Sequence, residues 1–192
     1  MKNAVTALLS LLLVLTFFTD IKAQSFYELC RKGSLNEIRN AINKGVNINE
    51  YGSNRKTPLM IVCSNNCDAE ILKLLLSSGA KVNMSDSDGK TALMYACENN
   101  VHEDVIKYLI KAGADINAKT KEGKTALMYA CETNKNIKIT VLLVNSGADV
   151  NAKNNNGMTP LMYAKTNKSG GLITVILVQA GATSHNPADL GI

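Results

Sequence analysis

The chain contains no tryptophan, and aromatic residues fill only 5% of its 192 positions. Its core must therefore be aliphatic. Histidine is almost as scarce, with His102 and His185 the only two. That excludes a three-histidine metal site and leaves little for histidine-based catalysis. There is no Gly-x-Ser-x-Gly elbow and no glycine-rich phosphate loop. A block of one charge sign is missing too. Lys and Arg total 21 against 16 Asp and Glu, and the resulting +5 is scattered. This is not the basic footprint of a dedicated nucleic-acid binder, so no nucleic-acid partner is expected. What is present is a hydrophobic fraction of 46%, too high for a disordered chain. The length suits one ordinary domain rather than two large ones.

Residues 1–23 differ from the rest. Lys2 gives a positive start, and Ala4 to Phe18 is a 15-residue run of apolar and small residues ended by Asp20. Ile21-Lys22-Ala23 then offers a small residue at a cut site. This is the three-part plan of a secretory signal peptide, cleaved after Ala23. The run is shorter than the ~20 apolar residues a spanning helix needs, so cleavage is preferred over an uncleaved membrane anchor. Cys30 follows Tyr27-Glu28-Leu29, too bulky and polar for a lipidation site. Cleavage removes Lys2, Lys22 and Asp20 and lowers the net charge from +5 to +4. The expectation is an exported chain, periplasmic or secreted, with no membrane association after cleavage.

The remainder repeats itself. Gly89-Lys-Thr-Ala-Leu-Met-Tyr-Ala-Cys-Glu98 recurs letter for letter at Gly123 to Glu132, an offset of 34. Thr57-Pro-Leu-Met and Thr159-Pro-Leu-Met-Tyr-Ala fall on the same lattice. Gly45, Gly79, Gly113, Gly147 and Gly181 form a second comb, and Asn49, Asn83, Asn117 and Asn151 a third. A period in this range means a stacked solenoid. In each unit a threonine such as Thr91 is an N-cap. The spacing predicts a short first helix over 92–99, stopped near Asn100 in left-handed geometry. A second helix follows over 103–112, with Val105, Ile106, Leu109 and Ile110 facing inward and Gly113 as a left-handed cap. An extended arm then runs from Ala114 to Lys124. One such helix pair cannot bury its own apolar face, whereas stacked copies can.

These residues resemble the ankyrin repeat family. Gly89-x-Thr91-Ala-Leu93-Met94-x-Ala96-Cys97, Val105-Ile106-x-Tyr108-Leu109-Ile110 and Gly113-Ala-Asp-Ile-Asn117-Ala carry the likeness. It covers Gln24 to about Thr183, and the Lys/Asn-rich composition looks bacterial. The resemblance implies an all-α solenoid over residues 24–192, in five units of about 24–56, 57–90, 91–124, 125–158 and 159–192. Some features depart from the family pattern. Its usual histidine after Thr-Pro-Leu is Met60, Met94, Met128 and Met162 here, which suggests a greasier joint between units. An extra residue falls between the helices at Cys67, Val101 and Lys135. Unit five has Lys165 in place of cysteine and Gly170-Gly171 at its second helix. Atypical end units fit a capping role.

Cys30, Cys63, Cys97 and Cys131 all occupy one slot of the first helix. Equivalent slots in stacked helices lie ~8–10 Å apart, beyond the ~7 Å that a disulfide tolerates. The four are expected to be buried thiols behaving as small hydrophobes, with Cys67 in the connector the most exposed. Cys63-x3-Cys67 lacks paired zinc-knuckle spacing. Gly89-Lys90-Thr91 and Gly123-Lys124-Thr125 mimic the tail of a phosphate loop but lack its upstream glycine. Asp86-Ser-Asp88-Gly89 starts like a calcium loop but lacks the distal glutamate, and reads as a hairpin tip. His102 reads as a surface or packing residue. Tyr95, Tyr129 and Tyr163 read as packing between first and second helices in preference to an aromatic binding ladder. No metal, cofactor or catalytic group is expected, and an enzyme with an unrecognised site is the remote alternative.

What the resemblance implies is protein binding through the hairpin tips and the exposed side of each first helix. Carried over by position, the tips are Tyr51, Arg55 and Lys56, then Ser87 and Lys90, then Lys121 and Lys124, then Asn155 and Met158. The first-helix positions are Ser64 and Asn65, Glu98 and Asn99, Glu132 and Thr133, Thr166 and Asn167. Lysine and glutamate rows alternating along this face would select a protein of mixed charge. The chain is read as a non-catalytic interaction module outside the cytoplasm, with a secreted effector binding a host protein as the alternative. A second contact surface is expected on the outer side of the second helices. There the slot held by Lys73 and Lys107 becomes Val141 and Val175, joined by Ile137 and Leu172. It would serve a partner or weak self-association, unless the tail from Ser184 to Ile192 folds back over it.

Overall fold

The computed structural model describes residues 26–65, 68–99, 102–133, 136–167 and 170–183. Among these described residues ten helices follow one another in five pairs: α1 (26–32) and α2 (Leu35–Asn43), α3 (Pro58–Ser64) and α4 (Ala69–Ser77), α5 (Ala92–Glu98) and α6 (Glu103–Lys111), α7 (Ala126–Thr133) and α8 (Ile137–Asn145), α9 (Pro160–Thr166) and α10 (Gly171–Gln179). A 3-10 turn, Ser53–Arg55, sits in the first hairpin. Among the described residues no strand forms, and one isolated bridge, Ser85 to Thr91, marks the second hairpin. From α3 to α9 each first helix packs on the next first helix, and from α2 to α10 each second helix on the next second helix. This is the all-α solenoid expected from the three combs.

The threonine comb starts the first helices. Thr57, Thr91, Thr125 and Thr159 each accept the backbone N–H of the methionine three residues on, at 3.3–3.4 Å. Met60 and Met94 return the contact, their sulfurs accepting the threonine N–H at 3.4 and 3.5 Å. The glycine comb ends the second helices at φ between 82° and 93°. Gly113 N–H donates to Ile110 and Ala114 N–H to Leu109, at 2.9 and 3.0 Å, which closes the helix as a Schellman motif. Both helices of unit three end one residue before the expected bound, at Glu98 and Lys111. Asn99 closes α5 at φ −87°, with its N–H on the Tyr95 carbonyl, so the right-handed turn simply unwinds there. Asn100, where a left-handed stop was expected, lies outside the described residues.

The core is aliphatic and continuous. Leu72, Leu75, Leu93, Ile106, Leu109, Leu127 and Ile139 are buried, and so are Met60, Met94 and Met128. Cys30, Cys63, Cys97 and Cys131 are buried in their shared slot, and Cys30, Cys97 and Cys131 are free thiols. Burial pushes Cys30 and Cys131 up to about 12 and Cys97 higher still. Such thiols are not nucleophiles near neutrality. Residues 1–23, Cys67, Val101, Lys135 and the Ser184–Ile192 tail lie outside the described residues.

The joints between units are more polar than the methionines suggested. Each asparagine of the third comb reaches into the next unit with both ends of its amide. Asn83 Nδ2 donates to the Gly113 carbonyl at 2.8 Å, and its Oδ1 accepts from Asp115 N–H at 2.8 Å. Asn49, Asn117 and Asn151 make the same pair of bonds, at 2.7–3.0 Å. The expectation of a greasier joint is therefore corrected. Methionine fills the interior, and asparagine supplies the polar ladder between units.

Candidate protein-interaction surface

Consecutive hairpins are tied backbone to backbone. Ser87 N–H donates to the Asn54 carbonyl at 2.9 Å, Lys121 N–H to Asp88 at 2.8 Å, and Asn155 N–H to Glu122 at 2.9 Å. Asn155 adds a side-chain bond to the Lys121 carbonyl at 2.8 Å. The tip residues thus occupy fixed positions one unit apart. The ends of the first helices are tied as well. Thr133 Oγ1 donates to Cys97 and Tyr129 carbonyls, and Asn167 Nδ2 to those of Cys131 and Glu132.

Lysine and tyrosine side chains interleave along the joint. Lys56 lies 4.6 Å from the Tyr95 ring centre, and Lys90 lies 4.4 Å from Tyr95 and 4.3 Å from Tyr129. Lys124 lies 4.5 Å from Tyr129 and 4.8 Å from Tyr163. The amphipathic lysine stem and charged head both suit a ring face. Lys90 Nζ donates to Glu98 Oε2 at 2.5 Å, and Lys124 Nζ to Glu132 Oε2 at 2.6 Å. The side chains of these two lysines are only 11% and 12% exposed. Tyr95 Oη donates to Asp86 Oδ2 at 2.6 Å, and Asn154 Nδ2 donates to Tyr163 Oη at 2.9 Å. Burial first, then the Asp86 bond, raises the Tyr95 phenol well above its ordinary 10. Tyr129 is pushed up to about 12, by burial and then by Glu98 and other nearby acids.

Two expectations change as a result. Lys90 and Lys124 are not a free basic row, because each is neutralised by the glutamate eight residues on and held between rings. The tyrosines are buried or half-buried, as packing required, but their polar and cationic contacts lie on the hairpin side. The remaining expected residues sort by exposure. Tyr51, Arg55, Asn65, Asn99, Lys121, Glu132 and Asn155 are exposed, and Lys56, Ser64, Ser87, Glu98, Thr133 and Met158 are half-buried. Among the described residues no group of three or more His, Cys, Asp or Glu is arranged to hold a metal ion.

One feature escaped the sequence reading. Asn54 and Arg55 both have positive φ, 56° and 57°. Arg55 holds the hairpin position filled by Gly89, Gly123 and Gly157 in later units, all at positive φ. The signal was an arginine standing out of a glycine column at an offset of 34.

The family model for ankyrin repeats in three copies matches residues 26–120 and 113–186. The chain belongs to the ankyrin repeat family. Ankyrin repeats are generally protein-interaction modules and typically non-catalytic. A search of curated proteins returned no match.

On the outer side of this ankyrin stack the apolar change is concentrated in α10. Leu172, Val175 and Val178 are 68%, 53% and 55% exposed. Ile137 and Val141 are only half-exposed. They line a shallow groove with Lys107 and Lys138, because α8 is flanked by α6 and α10. The four expected residues therefore do not form one equally exposed patch, and Val178 joins the exposed set. Its counterparts Leu76, Ile110 and Val144 are half-buried against the core. The tail that would cover this face lies outside the described residues.

Proposed function

We propose that this chain is an exported, non-catalytic module that binds a partner protein through its hairpin-and-first-helix face. The observation that carries the reading is the hairpin ladder. Three backbone bonds, at 2.8–2.9 Å, fix the tips one unit apart, so their side chains meet a partner with little ordering cost. Export rests on the plan of residues 1–23, and the mature protein is proposed to begin at Gln24.

The test is affinity capture from an envelope extract, with the full chain carrying a C-terminal tag and partners identified by mass spectrometry. The expected result is one protein enriched with the native face and lost when Asn99→Arg and Lys121→Glu are combined. A partner retained by that variant at undiminished yield would contradict binding through this face. The intact mass of the purified chain checks export separately: it should correspond to a first residue of Gln24, and a membrane-retained full-length chain would contradict it.

A further inference from the structure

Unit two lacks two of the three groups that close the lysine column elsewhere. In unit three the ring and the carboxylate beside Lys90 come from Tyr95 and Glu98 of α5, and in unit four those beside Lys124 come from Tyr129 and Glu132 of α7. The matching positions of α3 are Ile61 and Ser64. Ser64 spends its hydroxyl on the Ile61 carbonyl, at 2.9 Å, and on Asn65. Lys56 therefore rests against Tyr95 alone, and among the described residues its ammonium has no hydrogen-bonding or ionic partner.

The hairpin that carries Lys56 is unusual in a second way. Arg55 is exposed and holds a left-handed backbone where the three later hairpins use glycine. Such a conformation disfavours any residue with a Cβ. Its guanidinium lies 4.4 Å from the ring centre of Tyr51, which is itself exposed. The first tip thus carries two adjacent cationic residues, each against its own ring, without the carboxylates that Glu98 and Glu132 supply to Lys90 and Lys124.

Taking the interaction reading above as the starting point, we infer that the first hairpin binds a carboxylate of the partner: an acidic side chain in a protein segment sits at Lys56 as Glu98 sits at Lys90, with Arg55 as its second donor. A bare ammonium beside a ring is completed by an anion, and a guanidinium is built for a carboxylate. A long polyanion such as a nucleic-acid strand does not fit the whole face. Further along it would meet Asp88 and Glu122, while Lys90 and Lys124 are already neutralised by Glu98 and Glu132.

The probe is a fluorescein-labelled hexaglutamate peptide, compared with hexaglutamine and with a labelled twenty-residue oligothymidylate. Anisotropy is read on the full chain at low salt. Hexaglutamate should bind at least about tenfold more tightly than either comparator. Ser64→Glu, which supplies the missing internal carboxylate, and Lys56→Gln should each weaken it about tenfold. Lys111→Gln, the same charge change on an exposed helix end, should leave it within about twofold. Arg55→Gly should bind more weakly yet melt no lower, and up to about 2 °C higher as the backbone relaxes. Equal binding of the glutamate and glutamine peptides would overturn the proposal. So would indifference to both Ser64→Glu and Lys56→Gln, an equal loss with Lys111→Gln, or tighter binding of the oligonucleotide. Should the peptide fail while a partner is still captured through Asn99 and Lys121, the carboxylate site falls and the interaction reading stands. Loss of both removes both.

Discussion

Lys124 and Lys107 are each within reach of a glutamate, on opposite sides of the same stack. Lys107 lies on the outer face of α6, 50% exposed, at 3.3 Å from Glu103 and 3.2 Å from Asp104. Lys124 lies on the hairpin side, 12% exposed, at 2.6 Å from Glu132 and between two tyrosines. The outer pair is a solvated helix pair of the kind that contributes little. The inner pair joins one unit to the next through rings as well as charge. The same two residue types thus decorate one side of the solenoid and hold the other together. Where the inner arrangement is incomplete, at Lys56, the stack has a cation to offer a partner.

The largest effect should come from breaking the aliphatic layer on which both sides rest. Leu109 is fully buried, and Leu109→Ala should cost about 3 kcal/mol in urea unfolding. Next comes alkaline pH, which acts on the buried thiols of the interior and on the phenols of the hairpin side. The folded state holds the Cys131 thiol and the Tyr129 phenol protonated up to about 12, against ordinary values of 9.0 and 10.0. The unfolded chain therefore releases these protons first, and stability falls as pH rises. That contribution is intact below pH 9 and is lost progressively between 9 and about 12. A thermal melt series should show a steep fall across that window, and a flat profile would contradict the burial. Asn117→Ala removes two bonds, to the Gly147 carbonyl and the Asp149 N–H, and should cost about 1.5 kcal/mol. Lys90→Met keeps the stem but strands Glu98 and loses two ring contacts, for about 1 kcal/mol. Smallest of all, Lys107→Ala should leave the urea midpoint unchanged within error.

Much of this was legible in the sequence because helix caps are local. Thr91 and Gly113 announce their roles within four residues of the bonds they make, and the cysteine slot follows from the same register. The joint was less legible. Asn83 was visible as a comb tooth, but its partners Gly113 and Asp115 lie thirty and thirty-two residues away, and only stacking brings them together. The Lys90–Glu98 pair spans eight residues across a hairpin and a helix, which no helical spacing rule anticipates. Read as separate rows, the two columns looked like a binding surface of mixed charge. Folded, they neutralise each other. On the outer face, the change from Lys107 to Val141 is plain in the sequence, but its exposure depends on neighbours. Val141 is half-covered, while Val175 at the last helix is open.

The central claim is that charge on the hairpin side is structural in the middle units, whereas on the outer side it is not. A pair of double-mutant cycles tests it most directly, with Lys124→Gln and Glu132→Gln in one and Lys107→Gln and Glu103→Gln in the other, both read by urea unfolding. The coupling between Lys124 and Glu132 should be about 1 kcal/mol, and that between Lys107 and Glu103 should be indistinguishable from zero within the error of the measurement. Equal couplings, or a larger one on the outer face, would contradict the account.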